Sequence, residues 1–366
     1  MRWDAQRLDL DEPTTLPGLP DVRGLLRSVQ VPEFPGLTFH EVRAKSALNA
    51  VPKDSAMPFG HTINPYRGCS HACVYCYSRG THEWLELDSG TDFDQQIVVK
   101  TNLVDVLRRE LARPSWKREH VALGTNTDPY QRAEGRYQLM PGVIDALARS
   151  GTPFSVLTKG TLARRDVPRL AAASRDVPIG MGVSMAIWDD GLHTALEPGV
   201  PTPRARLDLV RAITEAGLPC GVFLAPVLPG LTDSREHLAA AIGAIAAAGA
   251  TGVTVVPLHL RPGAREWFTS WLAREHPGLV GRYQQLYGRG AYVPAEYRSW
   301  LAARVAPLLA AHGLDRASGG AARGIGEDGS LGLPGDSAAS FPAGSLPELV
   351  PATPVVHEEP EQLSLC

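Results

Sequence analysis

The sequence has no apolar run of the roughly 18 residues that a membrane span requires. The longest candidate, Ala239 to Ala250, is short and rich in alanine, and a buried helix is expected there. The opening residues, Met1-Arg-Trp-Asp-Ala-Gln6, lack an apolar core, which predicts no secretory signal. Neither sign of charge is in excess: 36 Lys and Arg face 39 Asp and Glu, for a net charge of −3, so no global field draws the chain to nucleic acid. Cysteine is scarce. Five residues with three of them clustered exclude a disulfide framework, and free thiols predict a reducing, cytoplasmic setting. What is present, 44% hydrophobic and 20% charged residues in 366, suits a globular enzyme with a sizeable core.

The clustered cysteines are Cys69, Cys73 and Cys76, in Asn64-Pro-Tyr-Arg-Gly-Cys-Ser-His-Ala-Cys-Val-Tyr-Cys-Tyr77. Thiols spaced C-x3-C-x2-C on one loop point to a metal centre. A structural zinc takes four protein ligands, so this loop would have to recruit His61 or His71. A 4Fe–4S cluster held by only three cysteines leaves one iron open for another ligand.

From Thr62 onward, short apolar runs alternate with helical patterns, the mark of repeated βα units. Strands are expected at 61–66, 96–100, 120–124, 153–158, 178–184, 219–225 and 252–258. Helices are expected at 102–112, 141–150, 162–173, 203–217 and 234–249. Fully apolar strands such as Val121-Ala-Leu123 favour a parallel sheet covered by helices, an α/β fold with a partial TIM-type (β/α)6 barrel. This count takes 96–100 as the second barrel strand and 252–258 as an addition beyond six. The expected organisation is an extended lead-in over 1–56, the barrel over 57–262, a helical extension over 263–315 packed through Trp267, Trp271 and Trp300, and a disordered Gly/Pro/Ser/Ala-rich tail over 316–366.

Chemistry in parallel barrels gathers at the C-terminal ends of the strands. That rule selects the cysteine loop, Lys100 and Asn102, the run Thr125, Asn126, Thr127, Asp128, Tyr130 and Gln131, then Thr158 and Lys159, Ser184, and finally His259 and Arg261. Cys220 opens its strand, at the wrong end for chemistry, and reads as a small buried hydrophobe.

Several stretches together resemble the radical S-adenosylmethionine (radical SAM) enzymes related to spore photoproduct lyase. They are the cysteine run with Thr81-His82-Glu83, then Leu123-Gly-Thr-Asn-Thr-Asp-Pro-Tyr-Gln131 and Thr158-Lys159. Leu196-Glu-Pro198 with Pro203 and Arg206, and Ala225-Pro-Val-Leu-Pro-Gly-Leu-Thr-Asp233, complete the set. The resemblance covers about residues 36 to 310. It implies a 4Fe–4S cluster on Cys69, Cys73 and Cys76, with S-adenosylmethionine on the open iron. Reductive cleavage would then give a 5′-deoxyadenosyl radical that abstracts hydrogen from substrate. It implies cofactor contacts from Tyr75, Thr125, Asn126, Asp128, Thr158 and Lys159, with Tyr75 and Tyr77 flanking the adenine, while the strand-end rule adds Ser184 as a cofactor contact and Lys100 as a catalytic candidate. Spore photoproduct lyase carries a cysteine near the end of its third strand. Here that place reads Gly124-Thr125-Asn126-Thr127 without a thiol, and a tyrosine such as Tyr130 is a candidate hydrogen donor in its stead.

The implied substrate is damaged DNA or a nucleobase, and the alternatives are a peptide, a tRNA or a metabolite, or a non-catalytic metal-binding module. The implied partners are a flavodoxin- or ferredoxin-type reductant and DNA. The terminal Gln362-Leu-Ser-Leu-Cys366 also resembles the short motif with which bacterial repair proteins bind the DNA sliding clamp.

Overall fold

Six apolar runs lie side by side as parallel strands in the computed structural model, which describes residues 24–52 and 59–315. In chain order the strands are β1 (Leu25–Val29), β2 (Thr38–Val42), β3 (Asn49–Ala50), β4 (His61–Ile63), β5 (Tyr66–Arg67), β6 (Gln96–Lys100), β7 (Val121–Leu123), β8 (Phe154–Thr158), β9 (Ile179–Ser184), β10 (Cys220–Val227) and β11 (Gly252–Pro257). The larger sheet has the order β11-β10-β9-β8-β7-β4-β3, parallel from β4 through β11, with the two-residue β3 antiparallel on one edge. It is an open, partial TIM-type barrel. Val121, Ala122 and Leu123 have no exposure at all, as expected of a strand covered on both faces.

The expected second barrel strand is corrected. Residues 96–100 form β6 in a separate four-stranded sheet, β1-β2-β6-β5, where Thr38 pairs with Gln96 and Val42 with Lys100. The sixth barrel strand is instead β11, counted above as an addition. The lead-in is corrected too, because 25–29 and 38–42 are strands that build this second sheet. Residues 1–23 and the expected tail with its clamp-like 362–366 lie outside the described residues.

Three of the helices that connect the strands, 190–196, 203–215 and 235–247, have side-chain caps on their first turns. Asp189 accepts from the Leu192 amide at 2.7 Å, and Ser234 accepts from His237 at 3.1 Å. Thr202 caps Ala205 at 3.3 Å, with Pro203 in the first turn of the helix 203–215. The C-terminal helices 264–275, 280–287 and 295–311 follow β11. Trp271 is buried and Trp267 packs against the core, whereas Trp300 is exposed, with the Tyr297 ring at 5.3 Å and the Arg304 guanidinium at 4.3 Å from it. No helix among the described residues is long and apolar enough to cross a membrane.

Gly124 decides how the loop after β7 leaves the sheet. Its φ is +86°, and a Cβ there would run into the carbonyl oxygen of Leu157 on β8. Gly217 has a similar φ of +82° but open space around it. Gly124→Ala should therefore cost about 2 kcal/mol or more and Gly217→Ala only about 1 kcal/mol, as read by urea unfolding.

Candidate functional site

The cysteine loop leaves β4 at its C-terminal end and is held from beneath by buried polar groups. Gly68 turns it with φ +74°, where a Cβ would lie 2.8 Å from the Gln96 carbonyl. Gln131, fully buried, accepts from the Ser70 amide at 3.0 Å and donates to the Gly68 carbonyl at 3.0 Å. Arg79 is also fully buried. It donates to the Cys73 carbonyl at 2.9 and 3.1 Å and to the Gly90 carbonyl at 2.8 Å, and pairs with Asp94 at 2.9 Å. Its guanidinium lies between the rings of Phe93 and Trp267, at 5.3 and 5.0 Å. On the far side the Val74 amide donates to the Leu196 carbonyl, and the Gly199 amide donates to the His71 carbonyl. Any side chain at Gly199 would strike the Ser70 carbonyl. Ala72 keeps a φ of +53°, which costs a non-glycine residue about 1–2 kcal/mol.

Cys69 and Cys73 are buried, Cys76 is half-buried, and all three are free thiols. Burial pushes each thiol up, while the nearby cations Lys159 at Cys73 and Arg79 at Cys76 act in the opposite sense, toward thiolate. Among the described residues no three of His, Cys, Asp or Glu converge as a single-ion site requires. A four-iron cluster needs no such convergence, because each thiolate binds a different iron. Three soft sulfur donors, two of them beside a cation, fit such a cluster. His61, one of the histidines a zinc site would recruit, opens β4 at its other end and pairs there with Glu119 at 3.2 Å.

Two polar networks bind this loop to the strand ends. In the first, Asp128 accepts from the Thr158 hydroxyl at 2.6 Å, the Lys159 amide at 2.6 Å and the Tyr130 amide at 2.8 Å, with His71 Nδ1 at 3.4 Å. His71 and these donors hold the Asp128 carboxyl below its usual range against the opposing effect of burial. In the second, Lys159 Nζ donates to Tyr75 Oη at 3.1 Å, Ser184 Oγ at 3.0 Å and Glu197 Oε1 at 3.0 Å. The Tyr75 hydroxyl donates to the same Glu197 oxygen. Glu197 Oε2 accepts from Arg206 Nη2 at 2.6 Å, and Arg206 Nη1 donates to the Ser184 carbonyl at 2.8 Å. Glu197 and Arg206 are both fully buried, and the two cations hold the Glu197 carboxyl far below the usual range despite its burial.

Tyr75, Lys159 and Ser184 thus meet in one network, and Asp128 and Thr158 meet in the adjoining one. Thr125 and Asn126 are half-buried on the same rim, where the Thr125 carbonyl accepts from the Tyr77 hydroxyl. Two residues do not join them. Lys100 is buried in the second sheet, where desolvation and Arg67 bring its ammonium down to about 7. The Tyr130 hydroxyl is turned to Asp166 at 3.1 Å, away from the loop. At the outer rim Tyr77 and Tyr292 are about half exposed (46% and 50%), with Arg261 5.4 Å over the Tyr77 ring and 3.4 Å from the Tyr292 hydroxyl. Half-buried His259 packs its ring against Tyr292, at 4.6 Å between centroids.

Sequence reasoning left Arg79, Gln131 and His71 without a stated role in holding the loop. Glu197 and Arg206 stand in the sequence only as members of the stretches that carry the resemblance, and their meeting is a product of the fold.

The family description "Radical SAM superfamily" matches residues 63–242. An uncharacterised protein of Mycobacterium tuberculosis is 61% identical over 86% of this chain and 93% of its own length. One of Methanocaldococcus jannaschii is 25% identical over 53% of this chain and 69% of its own. Among solved structures, spore photoproduct lyase complexed with dinucleoside spore photoproduct superposes with a TM-score of 0.57 at 15% identity, covering 75% of this chain and 79% of that one. That likeness is one of fold.

Beneath the loop, His82 Nε2 donates to the Gln96 carbonyl at 3.0 Å, and desolvation lowers its imidazole from 6.5 to about 4. Below pH 6.5 the unfolded chain takes up a proton that the folded chain refuses, so stability is lost as pH falls toward 4. His82→Gln removes this contribution. Its urea-unfolding free energy should decline less than that of the parent between pH 6.5 and 4.

Proposed function

The chain belongs to the radical SAM superfamily and is an enzyme of that class, and on this footing we propose that Cys69, Cys73 and Cys76 hold a 4Fe–4S cluster beside a site for S-adenosylmethionine. The observation that carries the reading is the position of three free thiols, fastened over the C-terminal ends of β4, β7, β8 and β9 by the Lys159 and Asp128 networks. When bound, cluster and S-adenosylmethionine supply one-electron chemistry that ends in removal of a hydrogen atom from substrate.

The rest is the work of this chain's residues. Lys159 Nζ gives its three donors to Tyr75, Ser184 and Glu197, and the cofactor's carboxylate would take the place of the Tyr75 or Ser184 oxygen, with the Ser184 hydroxyl free to donate beside it. Thr125 and Asn126 line the rim on which the amino group is received. Asp128 spends its oxygens on Thr158, the Lys159 and Tyr130 amides and His71, and acts by keeping the rim in place. The reductant is a small protein of flavodoxin or ferredoxin type.

For the substrate we propose damaged DNA or a nucleobase. The exposed rings of Tyr77 and Tyr292, with the Arg261 guanidinium between them, offer stacking faces and a phosphate partner at the mouth. A structural relative carries a dinucleoside photoproduct.

Anaerobic reconstitution should give about four irons per chain and 5′-deoxyadenosine after reduction. Alanine at Cys69, Cys73 or Cys76 should abolish both, while Cys220→Ala, buried at the start of β10, should keep both. A colourless protein with one zinc per chain, or full iron and turnover in Cys73→Ala, would refute the assignment. Lys159→Ala should keep the iron but weaken cofactor binding about 10- to 100-fold by equilibrium dialysis.

A further inference from the structure

Of the residues around Lys159, Glu197 has the most consequential place. Its carboxylate is fully buried, and both oxygens face cations: Lys159 at 3.0 Å on one and Arg206 at 2.6 Å on the other. The two cations differ in freedom. Arg206 is fully buried on the helix 203–215 and donates a second bond to the Ser184 carbonyl at 2.8 Å. The Lys159 side chain is 16% exposed and flexible by nature. Glu197 therefore fixes the movable cation against the immovable one. It also receives the Tyr75 hydroxyl, and Tyr75 lies between Cys73 and Cys76, so the carboxylate ties the ammonium to the cysteine loop itself. Backbone pairing of the same segment with the loop, Val74 to Leu196 and Gly199 to His71, leaves Glu197 little freedom to move.

We propose that Glu197, braced by Arg206, is a positioning residue that holds the Lys159 ammonium at the site for the cofactor's carboxylate. This rests on the reading of Lys159 given above. The sign of the effect follows from the charges. Neutralising Glu197 leaves two cations facing each other across an amide. The guanidinium is locked in place, so the ammonium swings away toward solvent and the carboxylate loses its partner.

The test measures affinity of the reconstituted holoenzyme for S-adenosylmethionine and for its decarboxylated analogue, by equilibrium dialysis, in the parent, Glu197→Gln, Lys159→Met and the double variant. Glu197→Gln is expected to keep the parent's iron content, to bind S-adenosylmethionine about tenfold more weakly, and to bind the decarboxylated analogue as the parent does. In the Lys159→Met background it should cause no further loss, since a residue that acts through another is silent without it. Equal weakening of both compounds, unchanged affinity for S-adenosylmethionine, or additive losses in the double variant would overturn the proposal.

Should Glu197→Gln lose iron, Glu197→Asp decides. Iron and selective binding restored by the shorter carboxylate support a charge-dependent positioning role, and loss of iron there as well assigns Glu197 to folding alone. A parent holoenzyme that binds the two compounds equally would remove the role of Lys159 itself. Discrimination kept intact in Glu197→Gln would remove only that of Glu197.

Discussion

A guanidinium with no exposure at all, that of Arg79, is the constraint on which the cysteine loop depends. A charge removed from water needs its hydrogen bonds and counter-charge supplied by protein, or the cost is several kcal/mol. Here Asp94 supplies the charge, the Cys73, Ser89 and Gly90 carbonyls supply the acceptors, and Phe93 and Trp267 enclose the planar faces. These partners come from the helix 91–95, the turn before it and the C-terminal helix 264–275. One side chain thus binds two segments, the turn and helix over 89–95 and the helix 264–275, to the segment that carries the thiols. Where the loop goes, the second sheet and the C-terminal helices must go with it.

The same economy governs the other side of the loop, with the charges reversed. There a carboxylate lies at the centre and cations surround it: Glu197 between Lys159 and Arg206. Arg79 stabilises the loop backbone, whereas Glu197 stabilises the direction of one functional group. The first is a matter of fold and the second of orientation. They meet at Cys73, whose carbonyl takes Arg79 and whose neighbour Val74 is bonded to Leu196.

Much of this was legible in the sequence because it is local. The runs at β7, β8, β9 and β10 read as buried strands within a residue or two of their ends, and the strand-end rule brought Lys159, Ser184 and Asp128 to one rim. Residues 96–100 show the limit. Gln-Ile-Val-Val-Lys has the same buried-strand composition whichever sheet receives it, and the choice is made by pairing with β2, some sixty residues earlier. Lys100 was carried to the wrong place by that error. Glu197 was hidden for a related reason: its partners Lys159 and Tyr75 are 38 and 122 residues away, separations that no periodicity reports. Tyr130 lay at the right strand end, but its hydroxyl answers to Asp166 on the next connection.

The rim and the floor of this site are built from different materials. The floor is backbone carbonyls, buried charges and glycines such as Gly199, where any side chain would strike Ser70, and each member is fixed by several others. At the rim, Arg261 meets the cysteine loop at the ring of Tyr77, and Tyr292 meets Arg261 in turn. Over evolutionary time the two should drift at different speeds. The floor admits almost no exchange without loosening the thiols, whereas the rim can be rewritten residue by residue. A lineage can in this way acquire new substrates while its radical-generating end stays as it was.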